Sequence, residues 1–98
     1  MAWMVMFDDE PTKLSLRATH GDKHSAYVRS VAPRILCSGS LRQTPDGRQT
    51  GAMWVIDAEN REEAEAIFQG DPFFKEGLRA NVRIWHWTKG VWDGRLPG

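Results

Sequence analysis

Apolar positions along the chain follow two rhythms, one of two residues and one of between three and four. The run Ala2 to Phe7 (AWMVMF) is continuously apolar and ends in Asp8, Asp9 and Glu10, which predicts a short buried strand. Pro11 opens a stretch from Leu14 to Val31 with apolar residues at Leu14, Ala18, Ala26, Val28 and Val31. That spacing is helical, weakened by Gly21 and stopped by Pro33. Arg34 to Leu41 reads as a second strand, and Thr44-Pro45-Asp46-Gly47 as the turn into a third, Gly51 to Asp57. Asn60, with Glu63 three residues on, caps a second helix whose apolar stripe is Ala64, Ile67 and Phe68 and which ends at Gly70. Asp71-Pro72 starts a short helical piece that runs to Gly77, and Ala80 to Thr88 alternates as a fourth strand. Lys89 to Gly98 contains three Gly and a Pro and reads as a surface arm.

The resulting order is β-α-β-β-α-β, the split βαβ arrangement of ferredoxin-like α+β folds. It predicts a four-stranded antiparallel sheet with both helices on one face, formed by residues 1–88, followed by a tail over 89–98. Each strand is apolar on both sides. Val82, Ile84 and His86 oppose Arg83, Trp85 and Trp87; Trp3, Val5 and Phe7 oppose Met4 and Met6; Ala52, Trp54 and Ile56 oppose Met53 and Val55. Two helices cover only one face, so the other needs a partner. A second copy packed sheet to sheet is the expected cover; the alternative is the tail, with Trp92, folded across that face.

Composition narrows the function classes. The 98 residues make one domain, and 13 basic against 13 acidic side chains give no net charge, unlike a nucleic-acid binder. Size scaling gives a compact monomer roughly 5,700 Å² of surface, enough for one core but not for a deep enclosed pocket. No apolar run reaches the length of a membrane span, and the start of the chain lacks the pattern of a signal peptide. Cys37 is the single cysteine, so no internal disulfide forms, and the cytoplasm is the expected compartment.

The candidate chemistry rests on few residues. His20 and His24 share a helix face at metal-ligand spacing, but no HExxH surrounds them and no thiolate joins, so no metal is expected. His86 reads as a packed histidine and Cys37 as a buried structural thiol. Ser38-Gly39-Ser40 is too short for a phosphate loop. Arg17 reads either as an anion contact or, preferably, as a solvated helix charge. Asp71 stands at a capping position; beyond capping, its carboxylate has the chemistry to orient a histidine.

Four segments carry a family resemblance: His24-Ser-Ala-Tyr-Val, Arg34-Ile-Leu-Cys-Ser-Gly-Ser-Leu41, the helix Glu62-Glu-Ala-Glu-Ala, and Asp71-Pro-Phe-Phe-Lys-Glu-Gly-Leu78. With Arg83-Ile-Trp-His-Trp87 they resemble the YciI-like (YCII-related) family over nearly the whole chain up to Lys89. The resemblance implies a dimeric α/β-barrel fold and a histidine–aspartate dyad, carried here by His24 and Asp71. Family relatives include dehydrochlorinases and proteins like muconolactone isomerases, which act on small ring compounds without a cofactor. Two positions depart from the family pattern. Gly39-Ser40 replaces a common Gly-Pro, and Gly21 stands where an Arg commonly precedes the histidine by three. Arg17 does stand three before His20, so a shifted match makes His20 the family histidine; the spacing to Gly39 favours His24.

The expectation is therefore a cofactor-independent lyase or isomerase acting on a small organic molecule. His24 moves a proton, Asp71 orients it, and Arg17 or Ser38 contacts a substrate oxygen. The pocket is expected between the first helix, the Asp71 segment and the sheet. The alternatives are a non-catalytic ligand-binding or interaction module and a cofactor-free monooxygenase.

Overall fold

A computed structural model describes residues 1–95. Along the chain lie β1 (Ala2–Asp9), α1 (Leu16–Val31), β2 (Ile35–Leu41), β3 (Gly51–Asp57), α2 (Arg61–Gln69), α3 (Pro72–Lys75) and β4 (Arg79–Trp87). The strands form one antiparallel sheet in the order β2-β3-β1-β4. Strand β1 runs two residues past its apolar stretch, because Asp8 and Asp9 remain paired with Gly51 on one side and with Ala80 and Arg79 on the other. Helix α1 starts later than its apolar spacing suggests, since Pro11–Lys13 form a tight 3₁₀ turn capped by the Glu10 carboxylate. Gly21 does not interrupt it.

The core lies between the sheet and the helices. Val5, Phe7, Trp54, Ile56 and Ile84 pack against Ala64 and Phe68 of α2, with Val28 of α1 at the margin. Phe7 meets Trp54 and Phe68 edge to face, with ring centroids 5.7 and 5.5 Å apart. Helix α2 is capped as its sequence predicts, the Asn60 side chain accepting from the Glu63 amide at 2.8 Å. Helix α1 buries no residue completely. It is tied down at particular points, among them the Tyr27 hydroxyl, which donates to the Ile67 carbonyl oxygen at 2.6 Å.

Two bulges break the strict alternation of the strands. Between Met6 and Asp8 of β1 the partner β4 carries one extra residue, next to Asn81, whose φ of 45° is left-handed. Between Ile35 and Cys37 of β2 the extra residue is the exposed Leu36. Each bulge reverses which side of the sheet the following residues face. Ser38 and Ser40 therefore pair with Trp54 and Ala52 on the helix-covered side, and Arg79 pairs with Asp9 there.

The other face carries Met4, Met6, Met53, Val55, Trp85 and Trp87, and Trp85 and Trp87 are 49% and 38% exposed. Past β4, Lys89 and Trp92 stand at the rim of a shallow apolar hollow with Ala2, Val55 and Trp87. The tail thus shields one end of this face and leaves Trp85 open; residues 96–98 of the tail lie outside the described residues. Cys37 lines that hollow and is half-buried, so it is not the core thiol its apolar neighbours suggested. Among the described residues no helix is long and apolar enough to cross a membrane.

Candidate functional site

Asp71 follows the Gly70 cap of α2 in extended conformation, and its Oδ1 accepts the Phe73 amide at 3.1 Å, which starts the single turn of α3. The side chain is 1% exposed. The same Oδ1 lies 2.7 Å from His24 Nδ1, joining α1 to α3 across 47 residues of sequence. A carboxylate at that distance favours a proton on Nδ1, and Nε2 is the ring nitrogen that does not face it. The imidazole stacks on Phe73, centroids 4.1 Å apart and planes 14° from parallel. Three residues on, Tyr27 packs so closely on Gly70 that a Cβ there would collide with its hydroxyl. Burial first, and the Asp71 charge second, push the Tyr27 phenol above its usual value, so it stays a neutral donor.

His24 lines a cavity of ≈ 340 Å³ between α1, the sheet and α3. Arg17 and Gly21 stand on the same helical wall, Ser38, Ser40 and Gln49 on the sheet side, and Trp54 and Phe73 supply aromatic walls. The arrangement matches the expected location. Arg17 is not the freely solvated charge preferred on sequence grounds. Its Nε and Nη2 fork onto the Asp9 carboxylate at 3.1 and 2.8 Å, and its guanidinium lies 5.4 Å from the Phe73 centroid. Ser38, aimed inward by the Leu36 bulge, reaches the same cavity. His20 stands apart: its Nδ1 is 2.9 Å from the Thr19 hydroxyl and its Nε2 is 4.0 Å from Glu76. It lines neither the cavity nor Asp71. Among the described residues no three His, Cys, Asp or Glu gather closely enough to hold a metal ion.

One charged residue escaped the sequence reading altogether. The Arg79 side chain is 2% exposed, with Nη2 3.5 Å from Asp71 Oδ2 and Nη1 3.7 Å from Asp9 Oδ1. Its guanidinium also covers the Phe7 and Phe73 rings, 4.8 and 5.3 Å from their centroids. Strict alternation from Arg83 and Trp85 puts Arg79 on the opposite face; the bulge at Asn81 turns it inward. Burial pushes this guanidinium below its ordinary range, and the two carboxylates pull it back.

A sheet in the order β2-β3-β1-β4 with its helices on one face is the ferredoxin-like α+β fold of the dimeric α/β-barrel superfamily. Within it, the chain belongs to the YCII-related domain family, whose sequence profile matches residues 1–88. Its structure is similar to that of a 5-chloro-2-hydroxyhydroquinone dehydrochlorinase from Burkholderia phenoliruptrix AC1100 in complex with 2,5-dihydroxybenzoquinone. The two chains are 26% identical, with a TM-score of 0.82 over 92% of this chain and 96% of that one. A monooxygenase from Streptomyces coelicolor, in complex with nanaomycin D, shares 19% identity at a TM-score of 0.49, over 99% of this chain and 91% of that one. No curated protein matches the chain.

Proposed function

We propose that this protein is a cofactor-independent lyase or isomerase of small hydroxylated ring compounds, in which His24 moves a proton and Asp71 orients it. The observation that carries this reading is the 2.7 Å contact between His24 Nδ1 and the buried Asp71, at the wall of an aromatic-lined cavity. The likeness to a dehydrochlorinase bound to a dihydroxybenzoquinone supports a ring substrate carrying oxygens. In an elimination, His24 Nε2 takes a proton from a ring hydroxyl or carbon, and a leaving group such as chloride departs with its bonding pair. The organic product has lost HX and gained one unsaturation, so no external oxidant or reductant is required. In an isomerisation the same proton returns to a different atom. Asp71 stabilises the imidazolium that forms, and such help is worth about 10² to 10⁴ in rate. Arg17, held by Asp9, and Ser38 supply donors to a substrate oxygen as negative charge develops.

The catalytic unit in this proposal is the domain over residues 1–88, working as a homodimer in the cytoplasm, with 89–98 as a tail. The exposed Trp85 and Trp87 favour a second copy on the open sheet face. A free Cys37 suits a reducing compartment.

The test is turnover of a panel of polyhydroxybenzenes, including 5-chloro-2-hydroxyhydroquinone, followed by quinone absorbance, chloride release and oxygen uptake. The parent is expected to turn over at least one of them without consuming oxygen, and His24→Ala to lose about 10² to 10⁴ of that rate. Thermal stabilisation by panel members without any turnover would make the cavity a binding site only.

A further inference from the structure

We propose that Arg79 is a positioning residue that keeps His24 in its neutral, proton-accepting form by sharing the Asp71 carboxylate from the side away from the imidazole. The inference rests on the acid–base reading of His24 and adds a residue to it. Asp71 divides its two oxygens. Oδ1 takes His24 Nδ1 at 2.7 Å and the Phe73 amide at 3.1 Å, whereas Oδ2 has no hydrogen-bond partner among the described residues and faces Arg79 Nη2 at 3.5 Å. Arg79 Nε and Nη1 are equally without hydrogen-bond partners among the described residues, and the side chain is 2% exposed. At those lengths the contact acts mainly through charge. A guanidinium is not kept there by hydrogen bonds, and burying it is costly.

Charge balance gives it a purpose. The groups that face one another around the site are Asp9 from β1, Arg17, His24 and the neutral Tyr27 phenol from α1, Asp71 before α3 and Arg79 from β4. The cavity-lining residues of β2 and β3 add no charge: Ser38, Gly39, Ser40, Ala52 and Trp54. Two guanidinium groups and two carboxylates balance only if His24 is neutral. Without Arg79 the cluster carries one excess negative charge, and the direct way to cancel it is a proton on His24. A lone buried aspartate favours the imidazolium form of its histidine; a guanidinium on the same carboxylate weakens that pull and favours the neutral imidazole that accepts a proton.

The local backbone is arranged for this contact. A regular β4 would point Arg79 to the open face with Arg83, and the extra residue at left-handed Asn81 turns it between Asp9 and Asp71.

The test titrates the His24 ring by NMR in the parent, Arg79→Met and Arg79→Lys, with the pH–rate profile on any panel substrate measured alongside. Removing the charge is expected to raise the His24 midpoint by about one pH unit or more, the scale of the effect of one nearby charge. The acid limb of the rate profile moves with it, so that below the new midpoint the rate falls about tenfold and recovers at higher pH. Arg79→Lys keeps the charge and is expected to hold the midpoint within about half a unit of the parent. If Arg79→Met does not fold, Arg79→Gln is neutral and carries the same expectation. An unmoved midpoint in a folded neutral variant overturns the proposal, as does a Lys variant that titrates like the neutral one. The NMR result does not depend on turnover: full activity in His24→Ala would overturn the acid–base reading and leave the titration intact.

Discussion

Gly70→Ala sets two physical effects against each other. Gly70 ends α2 in right-handed conformation, φ −75° and ψ −14°, so the backbone accepts alanine without strain. Helix propensity alone favours the change by up to about 1 kcal/mol. Packing opposes it. The new Cβ would overlap the Tyr27 hydroxyl and the ring carbon that bears it, and Tyr27 has little room to retreat because its hydroxyl is bonded to Ile67 O at 2.6 Å. Overpacking costs about 1–3 kcal/mol, and losing that hydrogen bond about 0.5–1.5 kcal/mol more. The expected net effect is a destabilisation of about 0.5–3.5 kcal/mol after the full helix term is subtracted. Urea unfolding of the single variant, of Tyr27→Phe and of the double variant reads it directly. Because Phe lacks the hydroxyl nearest the new methyl, alanine is expected to cost about 1 kcal/mol less in the Phe background. Since Tyr27 and His24 share α1, and Gly70 adjoins Asp71, Gly70→Ala is also expected to lower activity by disturbing the pair. A variant as stable as the parent, or an equal cost in both backgrounds, would refute the packing argument.

Two further perturbations follow from other parts of the molecule. The raised Tyr27 phenol means that the fold favours its neutral form. Its contribution is complete below the unfolded value of about 10 and is lost as pH rises through the higher folded value. Urea midpoints are therefore expected to decline above about pH 10 in the parent and to decline less in Tyr27→Phe. On the open sheet face, Trp85→Glu places a charge where the proposed second copy packs. Sedimentation is expected to show the parent as a dimer and this variant as a monomer that retains its far-UV circular dichroism.

Much of the architecture was written in the periodicity of the chain. The strand faces of Val5, Phe7, Trp54, Ile56 and Ile84 follow from simple alternation, and Asn60 with Glu63 marks the start of α2 where it occurs. What escaped is concentrated where alternation breaks. An extra residue in β4 carries Arg79 from the face shared by Arg83 and Trp85 into the site, and one in β2 sends Ser38 inward while Cys37 faces the open side. Asn81 is a residue type that tolerates left-handed backbone, but in a run of alternating strand residues it gave no warning by itself. A solvated Arg17 does not match the structure, because β1 continues through Asp9 and that carboxylate points inward to the guanidinium. The spacing to Gly39 favours His24 over His20, but the contact of His24 with Asp71 spans 47 residues and depends on how α1 packs against α3.

The most direct measurement is kcat/KM of Asp71→Asn against the parent on a turned-over ring substrate. Asparagine caps a helix about as well as aspartate, so the amide to Phe73 is preserved and only the charge facing His24 and Arg79 is removed. The account predicts a folded variant whose kcat/KM falls by about 10² to 10⁴. A folded variant within about twofold of the parent, far below that range, would contradict it and leave Asp71 as a cap alone.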